Sequence, residues 1–203
     1  KYALVNQQFE IIKKWKKETK YFPTSDEFYD YVCQDIDCYE LSLIGVSAPG
    51  VISHLSQVLT ETSPRTKIMY QTYINQEIMK RLKITTYAIN DAKAAGLCEL
   101  KLGSAQGTKS SAFMIIGTGI GGCLCDEFGV IDGHDSIAGE LSCLPFDVVD
   151  GKIISASHFA SMSALIDIYN QLSLYPEKYG KTICEKYLNH DAIAIKAMDK
   201  WVT

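Results

Sequence analysis

The sequence predicts an α/β protein whose sheet is at least partly parallel. Two observations predict it. Helical and strand-like segments alternate through the first half of the chain, which is typical of helices packed on a parallel sheet. In addition, three motifs each follow a predicted strand: Pro49-Gly50, Asn90-Asp91 and a glycine loop beginning at Gly117. Ligands of such sheets bind beyond the carboxyl ends of strands, so this coincidence indicates a ligand site more strongly than any one motif does.

The first-half elements follow from helix-start residues and from apolar runs. The segment from Pro23 to Asp26 favours a helix start, because Ser, Thr and Asp are preferred caps and acidic residues suit a first turn. The apolar run that ends at Pro49-Gly50 is typical of a buried strand. The predicted order is a hairpin over 1–20, a helix from 23 to about 37, a strand over 41–49, a helix over 75–83, a strand over 84–89, a helix over 90–103 and a strand over 110–116.

The second half is predicted to hold a hairpin over 123–131, a polar loop, and helices near 159–173, 177–188 and 191–203. In the last of these helices, Ile193, Ala197 and Trp201 fall on one face. We expect that face to need a packing partner beyond the end of the sequence. The opening residues, KYALV, are typical of the middle of a strand. Both observations predict that the chain is part of a longer one.

The composition argues against a nucleic-acid-binding protein and against a membrane-spanning one. Of 203 residues, 47% are apolar and 22% charged, with a net charge of -4, which is ordinary for a globular protein with a real core. The short basic run at 13–17 is a weak indication of nucleic-acid binding, and no apolar run has membrane-spanning length. The seven cysteines form no C-x-x-C pair, which favours a reducing, cytoplasmic setting. Because successive side chains of a strand point to opposite faces, Cys123 and Cys125 would share one face. They are predicted to be core residues rather than metal ligands.

The glycine loop, GTGIGG over residues 117–122, matches G-x-G-x-x-G literally. A dinucleotide fold would need a helix to open at the last glycine. The residues that follow alternate in polarity and contain turn residues, so a strand is predicted instead and NAD binding is rejected. Glycines still allow backbone N–H groups to converge on a phosphate oxygen, and Thr118 adds a hydroxyl. A bare hairpin turn is the alternative.

Two acidic motifs each have a structural and a functional interpretation. Asn90-Asp91 follows a strand and opens a helix, so it is either an N-cap or a carboxylate at the rim of a cleft that could accept a hydroxyl proton. Glu140 lies in a polar loop and could accept sugar hydroxyls or simply be solvated. His134 and Asp135 nearby are predicted to be surface residues.

With these residues in place, the chain resembles the ROK family, a group of bacterial sugar kinases and related sugar-responsive repressors. The segments that carry the resemblance occur in the family's order and near its spacing. They are GVSAPG (45–50), INDAKAAGLCE (89–99), MIIGTGIGG (114–122), AGELS (138–142) and ASMSALI (160–166).

The resemblance implies an actin-like (ribonuclease H-like) fold of two α/β lobes with sugar in the cleft. The lobes would span residues 1–110 and 111–203, with the first strand and the end of the second lobe missing. The implied activity is ATP-dependent phosphorylation of a hydroxyl on a hexose or β-glucoside, in the cytoplasm. The implied partner is a small-molecule sugar; the composition predicts no nucleic-acid or membrane partner, and a homodimer is left open.

The resemblance also implies roles for single residues. Asp91 would be the general base, Asn90 would hold a neighbouring hydroxyl, and Gly50 and Glu140 would line the sugar site. The ATP phosphates would face Gly117, Thr118, Gly119 and Gly121, with Mg²⁺ carried by the nucleotide.

Departures from the family pattern concern zinc and the sugar. Many members carry a His after the Ala-Gly-Glu segment that contacts sugar and, with downstream cysteines, binds structural zinc. Here Ser142-Cys143 stands there and residues 144–157 contain no cysteine, so we expect no zinc. A second sugar-binding Glu of those members is matched by Ser157 or His158. These departures suggest the zinc-free subgroup that resembles β-glucoside kinases, while a repressor or an inactive sugar-binding protein is the alternative function.

Overall fold

The fold consists of paired strands and packed helices in a computed structural model that describes residues 1–39, 41–61, 64 and 66–203. The strands are β1 (Tyr2–Val5), β2 (Ile11–Trp15), β3 (Ile44–Ala48), β4 (Thr86–Asn90), β5 (Ser110–Ile116), β6 (Ile120–Asp126), β7 (Pro145–Val149) and β8 (Lys152–Ser155). The α-helices are α1 (Ser25–Cys33), α2 (Ile74–Leu82), α3 (Asp91–Leu102), α4 (Ala156–Ala160), α5 (Met162–Leu172), α6 (Gly180–Leu188) and α7 (Ala192–Val202). Short 3₁₀ turns occupy Lys67–Met69 and Leu141–Cys143.

Strands β3 and β4 form the parallel pair that the α/β prediction requires. They keep one register along their length, and Ala48 pairs with Asn90 where the ladder ends. A parallel connection needs a crossover, which here contains α2. Because both strands run in the same direction, the segments that follow them, at Gly50 and Asp91, emerge at the same edge. The other pairs, β1–β2, β5–β6 and β7–β8, are antiparallel.

The hairpin predicted over residues 1–20 is confirmed as β1 and β2. Helix α1 starts as predicted, with the Thr24 side chain accepting a hydrogen bond from the Glu27 N–H. The helix ends at Cys33 and not near Asp37. The Asp37 carboxylate accepts a hydrogen bond from the Tyr39 N–H at 3.0 Å, a local side-chain turn that competes with helix continuation.

One cysteine pair lies in the core beneath α3. Cys123 and Cys125 are each 1% exposed and form a cluster with Leu100. Their Sγ atoms lie 3.5 Å apart, and burial raises the pKa of the Cys123 thiol to about 12. The prediction that these are core residues is confirmed.

The predicted face of the last helix finds its partner inside the chain, so the expectation of a missing partner for it was wrong. Helix α7 packs on α5 and α6, where Ala197 and Leu165 are both 0% exposed and Ile193 and Trp201 complete the cluster. The Trp201 Nε1–H donates to the Ser161 carbonyl at 3.0 Å. Helix periodicity identifies the apolar face correctly but carries no information about what covers it.

The single helix predicted over 159–173 is two helices. Ser161 has an extended conformation and ends α4, and its side chain accepts a hydrogen bond from the Ala164 N–H to begin α5. Ser161 is 1% exposed. The buried Ser161 therefore ends α4 and caps the start of α5.

The β7–β8 hairpin was not predicted, because no strand was assigned between the polar HDSIAGELS loop (134–142) and the helix expected near 159. Its turn is formed by Asp150 and Gly151, both with positive φ, at 50° and 73°. An Asp-Gly pair between two apolar runs is a strong hairpin pattern, because both turn positions favour residues that adopt positive φ. The pattern was present in the sequence.

A cavity of about 800 Å³ lies between β1, α1 and β3. Its described lining includes Tyr2, Phe28 and Val46, and it includes none of the predicted site residues. The predicted site residues therefore lie outside this cavity.

Candidate active site

Asn90 ties the β3–β4 edge to the start of α3. Its Nδ2 donates to the Gly50 carbonyl at 2.9 Å, and its Oδ1 accepts from the Lys93 N–H at 3.0 Å. The residue is 5% exposed, and Gly50 adopts a positive φ of 87°, a conformation that favours glycine. The capping interpretation is therefore correct for Asn90.

Asp91 occupies the first position of α3 and is exposed. Its Oδ1 accepts a hydrogen bond from the Ala92 N–H at 2.9 Å. A carboxylate at a helix N-terminus is stabilised by the helix dipole. The two roles thus belong to neighbouring residues: Asn90 is the helix cap, and Asp91 provides the carboxylate that is open to solvent.

The glycine loop is the turn of the β5–β6 hairpin. Ile116 pairs with Ile120, and Gly117, Thr118 and Gly119 connect them, with the Gly117 N–H donating to the Gly119 carbonyl at 2.9 Å. Thr118 and Gly119 are exposed. The strand predicted after the glycines is confirmed, which is the feature that excluded a dinucleotide fold.

Gly121 was grouped with the turn in the sequence analysis but lies within β6, opposite Ile115. A Cβ atom built on Gly121 would come within 2.7 Å of the Ala92 Cβ. One turn further along α3, a Cβ on Gly96 would come within 2.6 Å of the Cys123 Sγ. The two glycines allow α3 to lie directly on β6, which places Asp91 beside the glycine hairpin.

The junction of α4 and α5 holds the glycine turn in place. The Ser157 Oγ accepts a hydrogen bond from the Ile120 N–H at 2.9 Å, and the Met162 N–H donates to the Gly117 carbonyl at 2.9 Å. From the sequence, Ser157 was predicted only as a counterpart of a sugar-binding Glu. Its contact with the turn has no local sequence pattern, because 37 residues separate the two partners.

Replacing Ser157 by Ala is expected to lower the free energy of unfolding by about 1–3 kcal/mol, because the N–H of buried Ile120 loses its acceptor. Chemical denaturation would measure the change. The matched control is Ser163→Ala on α5, for which we expect a change within about 0.5 kcal/mol. Equal effects of the two substitutions would contradict the assignment.

Glu140 is half-buried in the loop between β6 and β7, so it is not a solvated residue. Its Oε1 is buried and has no hydrogen-bond partner among the described residues. Burial raises the pKa of Glu140, while the positive charge of Lys93 lowers it and the negative charge of Asp91 raises it. Packing on β6 places the two carboxylates in one region, because a Cβ on Gly121 would meet Ala92, next to Asp91, and a Cβ on Gly122 would meet the Gly139 carbonyl, next to Glu140. A buried carboxylate oxygen without a partner is costly and fits a ligand hydroxyl.

The predictions about zinc and about the surface residues that precede Glu140 have different outcomes. Among the described residues, no group of three or more His, Cys, Asp or Glu side chains is placed to hold a metal ion. The Cys143 side chain lies outside the described part of the chain, so the absence of zinc stays a prediction. His134 and Asp135 lie on the surface as expected, with side chains 98% and 73% exposed. In the described part of the chain no helix has the length and apolar character needed to cross a membrane.

Comparison with known proteins gives a family match over nearly the whole chain. The sequence model described as the ROK family matches residues 1–200. The N-acetylgalactosamine kinase AgaK of Shewanella sp. (strain ANA-3) is 28% identical over 145 residues, which are 68% of this chain and 45% of that protein. The glucokinase of Thermotoga maritima is 26% identical over 143 residues, again 68% of this chain and 45% of that protein. The matched region thus spans less than half of each of these two kinases.

Solved structures of the same family share the fold. A ROK family protein from Streptococcus pneumoniae in complex with sucrose has a TM-score of 0.80 at 19% identity, over 98% of this chain and 67% of that one. A glucokinase from Streptomyces griseus in complex with glucose and AMPPNP has a TM-score of 0.80 at 20% identity, over 98% and 70%. A ROK family transcriptional regulator, described as a homologue of the E. coli MLC protein, has a TM-score of 0.66 at 20% identity, over 87% and 47%. The predicted actin-like fold is confirmed.

Proposed function

The chain belongs to the ROK family, and on this premise we propose that it forms the sugar-binding and catalytic part of an ATP-dependent sugar kinase. The observation that carries the proposal is the pair of carboxylates beside the glycine hairpin. Glu140 has a buried oxygen without a partner among the described residues, and the residues next to Asp91 and Glu140 pack on the adjacent glycines Gly121 and Gly122 of β6. One carboxylate is thus suited to binding a hydroxyl and the other to accepting its proton.

The proposed roles follow from exposure and from unused hydrogen-bonding capacity. Asp91 is exposed at the start of α3 and would accept the proton of the attacking hydroxyl. Glu140 would bind sugar hydroxyls through its buried oxygen. Asn90 holds Gly50 and caps α3, and its remaining amide proton and lone pair could bind a neighbouring hydroxyl. Gly50 would line the sugar site through its backbone.

The proposed phosphate site is the turn of the β5–β6 hairpin. Gly117, Thr118 and Gly119 would face the ATP phosphates, with Mg²⁺ carried by the nucleotide and neutralising phosphate charge. The exposed Thr118 hydroxyl and the lack of side chains on its neighbours fit close approach by an anion. We propose that Gly121 contributes by letting α3 approach the hairpin rather than by touching phosphate. Phosphoryl transfer depends mostly on such positioning.

Replacing Glu140 by Gln is expected to raise the KM for the sugar about tenfold or more, because a hydrogen bond between a charged group and a hydroxyl is stronger than one between neutral groups. The same change should raise the melting temperature at neutral pH, because burial raises the pKa of this carboxyl and so disfavours its charged form. Steady-state kinetics and thermal denaturation measure the two effects. Exposed Glu127→Gln is the control.

The pH dependence of sugar binding provides a second check on Glu140. Its raised pKa means that the carboxylate takes up a proton at a higher pH than an ordinary Glu does. The sugar KM should therefore rise as the pH falls through this raised pKa, and Glu140→Gln should remove that dependence. A pH profile that is identical in the two proteins would contradict the assignment.

The experiment that tests the function as a whole is a coupled ADP-release screen of the full-length protein. We would screen glucose, N-acetylmannosamine, N-acetylgalactosamine, fructose and β-glucosides. We propose the zinc-free, β-glucoside kinase-like subgroup, which predicts turnover of a β-glucoside. Sugar binding without ADP release would favour a repressor or an inactive sugar-binding protein. The fold does not discriminate here, because it is shared with a transcriptional regulator, whereas Asp91 favours a kinase because a repressor needs no base.

A further inference from the structure

Lys93 is a buried lysine of α3, two residues after Asp91, with a side chain that is 1% exposed. Its Nζ donates to the Asp132 Oδ1 at 2.7 Å and to the Ser136 carbonyl at 2.8 Å. A buried ammonium is costly unless it is paired and hydrogen-bonded. Lysine side chains usually lie at the surface, so the burial of Lys93 requires a structural reason.

The two partners of Lys93 lie within one turn of the chain that spans residues 132–138. The Ala138 N–H donates back to the Asp132 carbonyl at 3.1 Å, and Ser136 is buried with a positive φ of 58°. A non-glycine residue in the left-handed region persists when its surroundings hold it there. The segment is thus folded back around the Lys93 ammonium and fixed to α3.

Glu140 follows this turn directly. Its N–H donates to the Ile137 carbonyl at 3.0 Å, and the intervening Gly139 lies against the backbone of β6, where a Cβ would be 2.9 Å from the Leu124 N. The loop that presents Glu140 is therefore held at two places, by Lys93 on α3 and by β6. Burial raises the pKa of the Glu140 carboxyl, and the positive charge of Lys93 offsets part of that rise.

We propose that Lys93 is a positioning residue that joins the helix of Asp91 to the loop of Glu140 and so fixes the distance between the proposed base and the proposed sugar ligand. This inference rests on the proposed function. Lys93 touches neither sugar nor phosphate and acts through the 132–140 loop. A small misplacement matters, because a shift of about 1 Å in a positioned substrate can cost about 100-fold in rate.

The test compares Lys93→Met, which keeps the length of the side chain and removes the donors, with Lys93→Arg. Lys101→Met is the matched control on the same helix, where the Nζ of an exposed lysine donates to the Phe128 carbonyl at 3.2 Å. We expect Lys93→Met to raise the sugar KM about 10- to 100-fold while the KM for ATP changes less than about twofold. Lys93→Arg should restore part of the sugar affinity, and the control should match the wild type.

A purely structural role predicts a different result. Lys93→Met would then reduce the active fraction, with both KM values unchanged, and this outcome would overturn the proposal. If Lys93→Met does not fold, Asp132→Asn provides the second variant, because the Asp132 side chain is 40% exposed and its loss leaves the Ser136 contact in place. An unchanged sugar KM in folded Asp132→Asn would also overturn it.

Amide hydrogen exchange separates failure of this inference from failure of the proposed function, because it requires neither sugar nor turnover. Removing the Lys93 contacts should speed exchange at residues 136–140 while the amides of α3 and β6 stay protected. Unchanged exchange in that loop would show that Lys93 does not hold it, whatever the protein phosphorylates. If the wild type binds sugar but releases no ADP, the kinase proposal fails and the Lys93 effect is read from the sugar Kd.

Discussion

Replacing Asp91 by Asn is expected to lower kcat for sugar phosphorylation by about 10²- to 10⁴-fold, which is the contribution of a positioned general base. The amide is close in size to the carboxylate and can still accept the hydrogen bond of the Ala92 N–H, which is 2.9 Å long in the wild type. It cannot take a proton from a hydroxyl. The sugar KM should change far less than kcat, because the proton moves only during the reaction.

The control for Asp91→Asn is Asp135→Asn, at a carboxylate that is 73% exposed on the loop between β6 and β7. It should retain wild-type turnover. Melting temperatures of both variants should stay near that of the wild type, since neither substitution removes a buried contact. Turnover by Asp91→Asn within a few-fold of the wild type would eliminate Asp91 as the base.

Replacing Gly122 by Ala is expected to destabilise the protein by about 3 kcal/mol, at the upper end of the effect of overpacking. Gly122 is buried in β6, and a Cβ there would collide with the carbonyl oxygen of Gly139 and lie 2.5 Å from the Leu141 Cγ. Backbone atoms cannot move aside as a flexible side chain can. The collision would also push the Glu140 loop away from β6, so sugar affinity should fall together with stability.

Chemical denaturation of Gly122→Ala would be compared with Gly129→Ala. Gly129 lies in the turn after β6, and a Cβ built there has nothing within 4 Å. We expect this control to change the free energy of unfolding by no more than about 0.5 kcal/mol. A similar small change for Gly122→Ala would show that the loop does not lie on β6 as described.

Turn chemistry and short-range capping were predictable from the sequence to different degrees. The Asn90-Asp91 pair was ambiguous between a cap and a catalytic carboxylate, and the structure assigns the cap to Asn90 and leaves Asp91 exposed. The Asp150-Gly151 turn carried a recognisable pattern but lies in a segment to which no element was assigned from the sequence. The break at Ser161 was harder to predict, because apolar periodicity continues through it while a buried cap interrupts the helix.

Apart from the β7–β8 hairpin and the break between α4 and α5, the sequence by itself determined the order of strands and helices, the apolar faces and the order of the motifs, because these depend on residues a few positions apart. Tertiary structure alone decided how the motifs meet. The contacts that build the site are Asn90 with Gly50, Lys93 with Asp132 and Ser157 with Ile120, and they join residues 40, 39 and 37 positions apart. Propensity and periodicity act over one or two turns of chain, whereas such contacts depend on the packing of whole elements. The burial of Glu140 likewise follows from α3 and the 132–140 loop lying on β6, which no local pattern in AGELS expresses.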